Sequence, residues 1–158
     1  VDPRTSLPNM NLIKEHLPRI LNDPDTVLID VQIQNFVPFT EKYGPVAGNQ
    51  VVRSAAKMIG DLLHQVDPTG SFIGHPRDDH FLIGLKSSAA PRVERDLPDR
   101  FQTHIQQYYD PNEVSQHLMT VNGTAYPLMQ FRVVRVPIES LKTLVNLPDG
   151  VKLPSKGT

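Results

Sequence analysis

Thr26 to Gly48 reads TVLIDVQIQNFVPFTEKYGPVAG, and this stretch decides the fold. Thr26 to Ile33 is apolar and rich in β-branched residues, the pattern of a buried strand. Asn35 to Tyr43 predicts a short helix or turn, closed by Gly44. Beyond it Val51, Val52, Ala55, Ile59, Leu62, Leu63 and Val66 recur at helical spacing, and Pro68 to Gly70 ends the run.

Working outward, Asn9 can cap a helix carrying Leu12, Ile13, Leu17, Ile20 and Leu21, with Pro18 inside it. On the other side, 71–75 and 80–86 predict two strands joined by a tight turn over Pro76 to Asp79, and they are expected to flank a central strand at Thr26 to Ile33. A helix is expected from Arg92 to Tyr109, despite Pro98, and a turn over Asp110 to Asn112. His117 to Val121, the Asn122-Gly123 turn and Leu128 to Val136 predict a hairpin, since Asn-Gly is a strong two-residue hairpin signal. A short helix near 139–146 and a loose tail over 147–158 complete the reading. Strands interleaved with helices predict an α+β fold, a sheet covered by helices.

The 158 residues fit one domain with a real core. A net charge of -1 gives no electrostatic footprint for a nucleic acid polymer or an anionic membrane. The absence of cysteine excludes disulfides, thiolate metal sites and a cysteine nucleophile. No apolar run approaches the roughly 20 residues of a membrane span, so no membrane contact is expected from this segment. The opening at Val1 reads as a fragment of a longer, multidomain chain.

Three segments resemble one family, in order. DPRTSLPN at Asp2 to Asn9 is similar to the DxLTGLPN opening of GGDEF domains, the fold of bacterial diguanylate cyclases. NFVPFTEKYGPVAG at Asn35 to Gly48 is similar to the family's xFKxxNDxYGHxxG stretch. RDDHF at Arg77 to Phe81 stands in the position of the GGDEF signature itself. The resemblance implies a ferredoxin-like, nucleotidyl-cyclase-like core: a central, mostly antiparallel five-stranded sheet flanked by helices, spanning 1–146. It also implies a family chemistry in which two carboxylates hold two metal ions and two GTP molecules are joined into cyclic di-GMP across a homodimer.

The residues that the resemblance maps onto that chemistry depart from it. Gln32 stands where the first metal-binding Asp is expected, and an amide lacks the charge that hard cations prefer. Asp30 lies two residues earlier on the strand, roughly 7 Å away at 3.3 Å per residue. Gln34 replaces the strand-end Asp. Phe36 of the phosphate turn is kept, but Val37 replaces its Lys, and Pro38 removes a backbone N–H. The guanine-reading pair becomes Thr40 and Asn49. In the signature, Arg77 and Asp78 replace two glycines, Asp79 stays acidic, and His80 and Phe81 follow. The product-inhibition RxxD falls on Pro68 to Ser71, with His64-Gln65-Val66-Asp67 as the nearest relic.

No catalytic residues and no cofactor are therefore expected. Phe36, Gln32, Thr40 and Asn49 are read as a nucleotide-pocket remnant. Asp30 and Asp79 are weak metal candidates, relevant with magnesium only if the chain is a divergent cyclase. His75, Asp78, Asp79 and His80 suit zinc by ligand type, but a turn tip is ordinarily just polar and solvated. Arg77 is expected to fold over the old pocket or to pair with a carboxylate. Tyr108 and Tyr109 read as core rather than a base-stacking platform, and His104 and His117 show no partner signal. The expected role is a non-catalytic signalling or interaction module of a bacterial, cytoplasmic sensory or response-regulator protein. Its partners would be other domains of the polypeptide or a signalling protein, with homodimers a further expectation. The alternatives are a receptor for GTP or cyclic di-GMP and, last, an active cyclase.

Overall fold

The computed structural model describes residues 22–137, together with Thr5, Leu7, Glu15 and Pro18. The helix expected from Asn9, the helix near 139–146, the 147–158 tail and the domain limit at 146 lie outside the described residues.

The expected first strand forms as β1 (Thr26–Gln34). Alternation sorts its side chains: Ile29, Val31 and Ile33 are fully buried, while Asp30, Gln32 and Gln34 are only partly covered. Asn35 adopts a left-handed conformation (φ 62°) and starts α1 (Phe36–Tyr43). Gly44 then takes φ 91°, which a side chain would resist, and so the chain breaks and restarts as α2 (Pro45–Val66). Pro45 sits in the first turn of α2, where its missing N–H costs nothing. Val51, Val52, Ala55, Ile59, Leu62 and Leu63 form the buried face of α2.

β2 (Phe72–Arg77) and β3 (His80–Lys86) form the expected hairpin, but its turn is only Asp78-Asp79, because Pro76 is absorbed into a strand irregularity between Gly74 and Arg77. With β6 (Gln130–Arg135) the main sheet runs β2-β3-β1-β6, and every pairing in it is antiparallel. β1 is central as expected. Its neighbours are β3 and β6 (Gln130–Arg135), however, and not the two hairpin strands; β2 lies beyond β3. The Asn122-Gly123 turn joins β4 (Leu118–Val121) to β5 (Thr124–Pro127), with φ of 50° and 82° at its two residues. Positive φ at both is the turn that matches strand twist. That hairpin closes within ten residues as a separate ribbon, which frees 130–135 to pair with β1; the expected partnership of 117–121 with 128–136 is thereby corrected. Among the described residues the sheet has four strands, with the ribbon beside it.

The helix expected at 92–109 begins earlier and tightens sooner: α3 spans Ala90–His104 and ends in a 3₁₀ turn, Ile105–Tyr108. It continues through Pro98 because Val93, Leu97 and Phe101 are fully buried, and packing outweighs local propensity. Phe101 stacks on Phe131 of β6, ring centroids 3.8 Å apart. Pro111–Gln116 is a further helix, α4, where only a turn was expected. Its start was written in the sequence: Asp110 caps it, Pro111 follows, and the Glu113 carboxylate accepts from the Asp110 N–H at 3.1 Å.

Candidate functional site

Two sequence-distant segments meet across one cleft of about 410 Å³. Phe36, Val37, Thr40, Pro45, Gly48 and Asn49 line one wall. Arg77, Asp78 and Asp79 line the other. The walls are tied together by the Ile33 N–H, which donates to the Asp79 carbonyl at 2.8 Å. Gly48 packs against the inner side of α1: a Cβ there would lie 2.6 Å from Thr40 Cγ2. Thr40 itself turns its hydroxyl back to the Val37 carbonyl, 2.8 Å away.

The β2–β3 turn is built without positive φ. Among the described residues, positive φ occurs only at Asn35, His117, Asn122, Gly44 and Gly123. Asp78 and Asp79 thus avoid the left-handed geometry that their Cβ atoms disfavour. Arg77 is exposed and lines the cleft.

Asp30 and His80 come together on the partly covered face of the sheet. Gln32 pairs with His80 across the strands, and Asp30 lies diagonally, its Oδ1 3.1 Å from His80 Nδ1. The hydrogen bond to Asp30 raises the His80 pKa above 6.5; burial opposes it, and Asp30 and Asp79 add attraction. His80 Nε2 also lies 3.8 Å from Asp79. His75 is buried and stacked on Phe81 at 4.6 Å, its Nε2 3.1 Å from the Asp78 carbonyl. The two histidines of the turn are therefore drawn into the sheet and are not solvated as expected.

The chain matches the family described as diguanylate cyclase, GGDEF domain, over residues 1–126. It belongs to that family. No curated protein matches it in a direct sequence comparison. Among solved structures it is similar to the GGDEF domain of TpbB (YfiN) from Pseudomonas aeruginosa, with TM-score 0.58 and 18% identity over 85% of this chain and 73% of that one. It is similar to the GGDEF domain of DgcB from Caulobacter crescentus, solved with c-di-GMP, with TM-score 0.55 and 20% identity over 85% and 73%. It is also similar to the diguanylate cyclase SiaD from Pseudomonas aeruginosa, solved with its activator SiaC, with TM-score 0.59 and 19% identity over 95% of this chain and 55% of that one. These likenesses give the fold.

In this GGDEF domain the side chain at position 32 is neutral, whereas hard cations favour carboxylates. Asp30 is already engaged by His80, and an amide stands at 32. Among the described residues no group of three or more His, Asp or Glu side chains is placed to hold a metal ion. The relic Asp67 is buried and wholly occupied by backbone: it accepts from the Gly70 N–H at 3.0 Å and the Lys86 N–H at 2.9 Å.

One polar centre was not foreseen. Glu113 is buried and accepts from Lys42 Nζ at 2.6 Å, from the Tyr43 hydroxyl and from the Asp110 N–H. Lys42 reaches on to the Thr120 carbonyl of β4, 3.3 Å away. Burial alone would raise the Glu113 pKa, but the bonds from Lys42, Tyr43 and Asp110 bring it below 4.5. Burial, aided by Glu113, pushes the Tyr43 phenol up to about 12. Tyr109 is buried as expected, and its hydroxyl accepts from the Met129 N–H at 2.9 Å. Tyr108 bonds Ser54 Oγ at 2.6 Å and His104 Nε2 at 3.2 Å, so His104 has the partner that its sequence did not announce. His117 sits at the left-handed C-cap of α4.

Proposed function

We infer that this GGDEF domain does not synthesise cyclic di-GMP and acts as a signalling or interaction module within a larger bacterial sensory protein. The observation that carries the reading is the engagement of Asp30 by His80 beside Gln32. Asp30, the acidic residue two positions before Gln32 on the same strand, is committed to a neighbouring side chain, and the residue at position 32 is neutral. Two-metal phosphoryl transfer draws its rate from positioned charge, and each missing contact costs on the order of 3 kcal/mol in the transition state. Val37 and Pro38 in place of a cationic, amide-rich turn argue the same way. SiaD, solved with an activator protein, offers a precedent for a relative that works through a protein partner.

The test is incubation with GTP and magnesium or manganese, read by chromatography for cyclic di-GMP. No product is expected. Product that vanishes in the Asp79→Ala variant would overturn the reading. The open cleft of about 410 Å³ favours a second reading, a receptor that holds GTP or cyclic di-GMP without turnover. Calorimetric titration with each nucleotide, with and without magnesium, separates the two.

A further inference from the structure

A second, smaller cleft of about 210 Å³ opens where α3, the 3₁₀ turn after it, the C-cap of α4 and the 127–131 segment meet. It shares no lining residue with the cleft at Arg77. Ile105, Met129 and Phe131 line it and are almost fully buried, which gives it an apolar base. Gln102, Gln106, Gln130 and His117 line it too, and all four are exposed. None of these four side chains has a hydrogen-bond partner among the described residues. Gln107, the next residue after Gln106, is by contrast engaged, donating to the His104 carbonyl at 2.9 Å. No Asp, Glu, Lys or Arg lines the cleft among the described residues. Its wall is set in advance, because the Met129 N–H is held by the Tyr109 hydroxyl and Phe131 is stacked on Phe101.

We propose that this cleft is a binding site for a small, uncharged heterocycle of the nucleobase class, read at its edge by the glutamine amides. A convergence of a few polar groups on an apolar base is the make-up of a ligand site. A charged ligand is disfavoured, since it would give up water where no opposite charge waits among the described lining residues. A purely apolar ligand is disfavoured too, because covering the cleft would strip water from the three amides and offer them nothing in return. A heteroaromatic ring meets both demands: its face covers Ile105, Met129 and Phe131, and its edge carries donors beside acceptors. A primary amide has the same pair side by side, and a glutamine can grip the amino group and ring nitrogen of adenine at two points. Size points the same way. The cleft is smaller than the roughly 300 Å³ at which sites for drug-sized ligands begin, so it suits one ring system with any sugar left outside. The site is independent of whether the domain makes cyclic di-GMP.

The test is a titration of the whole nitrogen-15-labelled chain with adenine, followed by proton–nitrogen NMR. The side-chain amide signals of Gln102, Gln106 and Gln130 and the backbone signals of Ile105 and 127–131 should shift together and saturate. Purine, which lacks the amino group, should bind at least threefold more weakly, and the anion benzoate should leave those signals in place. Gln106→Ala and Gln130→Ala, both at exposed positions, should each weaken adenine roughly threefold to tenfold. The backbone signals of the same spectra report whether each variant is folded, so a loss of binding is read only on intact protein. Four results would each overturn the proposal: no saturable shift, equal binding of purine or benzoate, unchanged affinity in both glutamine variants, or shifts confined to Val37, Thr40 and Gly48. The last would place adenine in the other cleft. The cyclase assay judges the non-catalytic reading by itself, and neither of its outcomes bears on this site.

Discussion

His80 Nδ1 lies 3.1 Å from Asp30 Oδ1, joining the two central strands across a diagonal of the sheet. Both side chains are mostly covered, 15% and 17% exposed, so the pair is shielded from bulk water. Because Asp30 raises the His80 pKa, the imidazolium is favoured in the folded protein. Its contribution to stability is full below about pH 6.5 and is lost as pH rises through the higher folded value. Histidine ring resonances followed by NMR should titrate above 6.5 in the natural protein and return toward 6.5 in Asp30→Asn. An unchanged midpoint in that variant would show that Asp30 is not the cause.

Glu113→Ala should be among the more damaging single changes. It leaves Lys42, the Tyr43 hydroxyl and the Asp110 N–H without their shared acceptor. A loss of roughly 2–4 kcal/mol is expected, measured by urea unfolding. The pH dependence has the opposite sense to that of His80. With its pKa depressed below 4.5, Glu113 stabilises the fold above that pH and loses its effect as pH falls through the folded value. Acid unfolding should begin at higher pH in Glu113→Gln than in the natural protein.

Gly48→Ala should cost about 1–3 kcal/mol, since the new Cβ would press to 2.6 Å on Thr40 Cγ2. Thr40→Ser deletes that methyl and keeps the hydroxyl bonded to Val37. The double variant should recover much of the loss, and a double-mutant cycle in urea would measure the coupling. Simple additivity would mean that the contact is not what requires glycine.

Replacing Arg77 and Asp78 by glycine should not start synthesis of cyclic di-GMP, since Gln32, Val37 and Pro38 remain. Nucleotide binding measured by calorimetry should at most strengthen. Turnover in this variant would show that the signature turn alone withholds activity.

β1, α1, the Gly44 break and α2 were legible because each is set by local periodicity and one special residue. The neighbours of β1 were not, because strand order is fixed by contacts distant in sequence. Leu118–Val121 finds its partner in the four residues directly after the turn, and nothing local says that Gln130–Arg135 crosses to β1 instead. The site divides in the same way. The positions lining the cleft were readable from the order of the family-like segments. The Asp30–His80 bond was not, since it spans 50 residues and depends on a diagonal register. The helix at Pro111 could have been found, because Asp110, Pro111 and Glu113 spell a helix start.

α1 has both ends committed. Its first turn carries Phe36 and Val37 in the cleft wall, and its last holds Lys42 and Tyr43 against Glu113, with Lys42 touching the β4 backbone. Eight residues make a strut about 12 Å long. The cleft wall and the β4 backbone are thus joined through a single rigid helix, with Lys42 as the link to the ribbon.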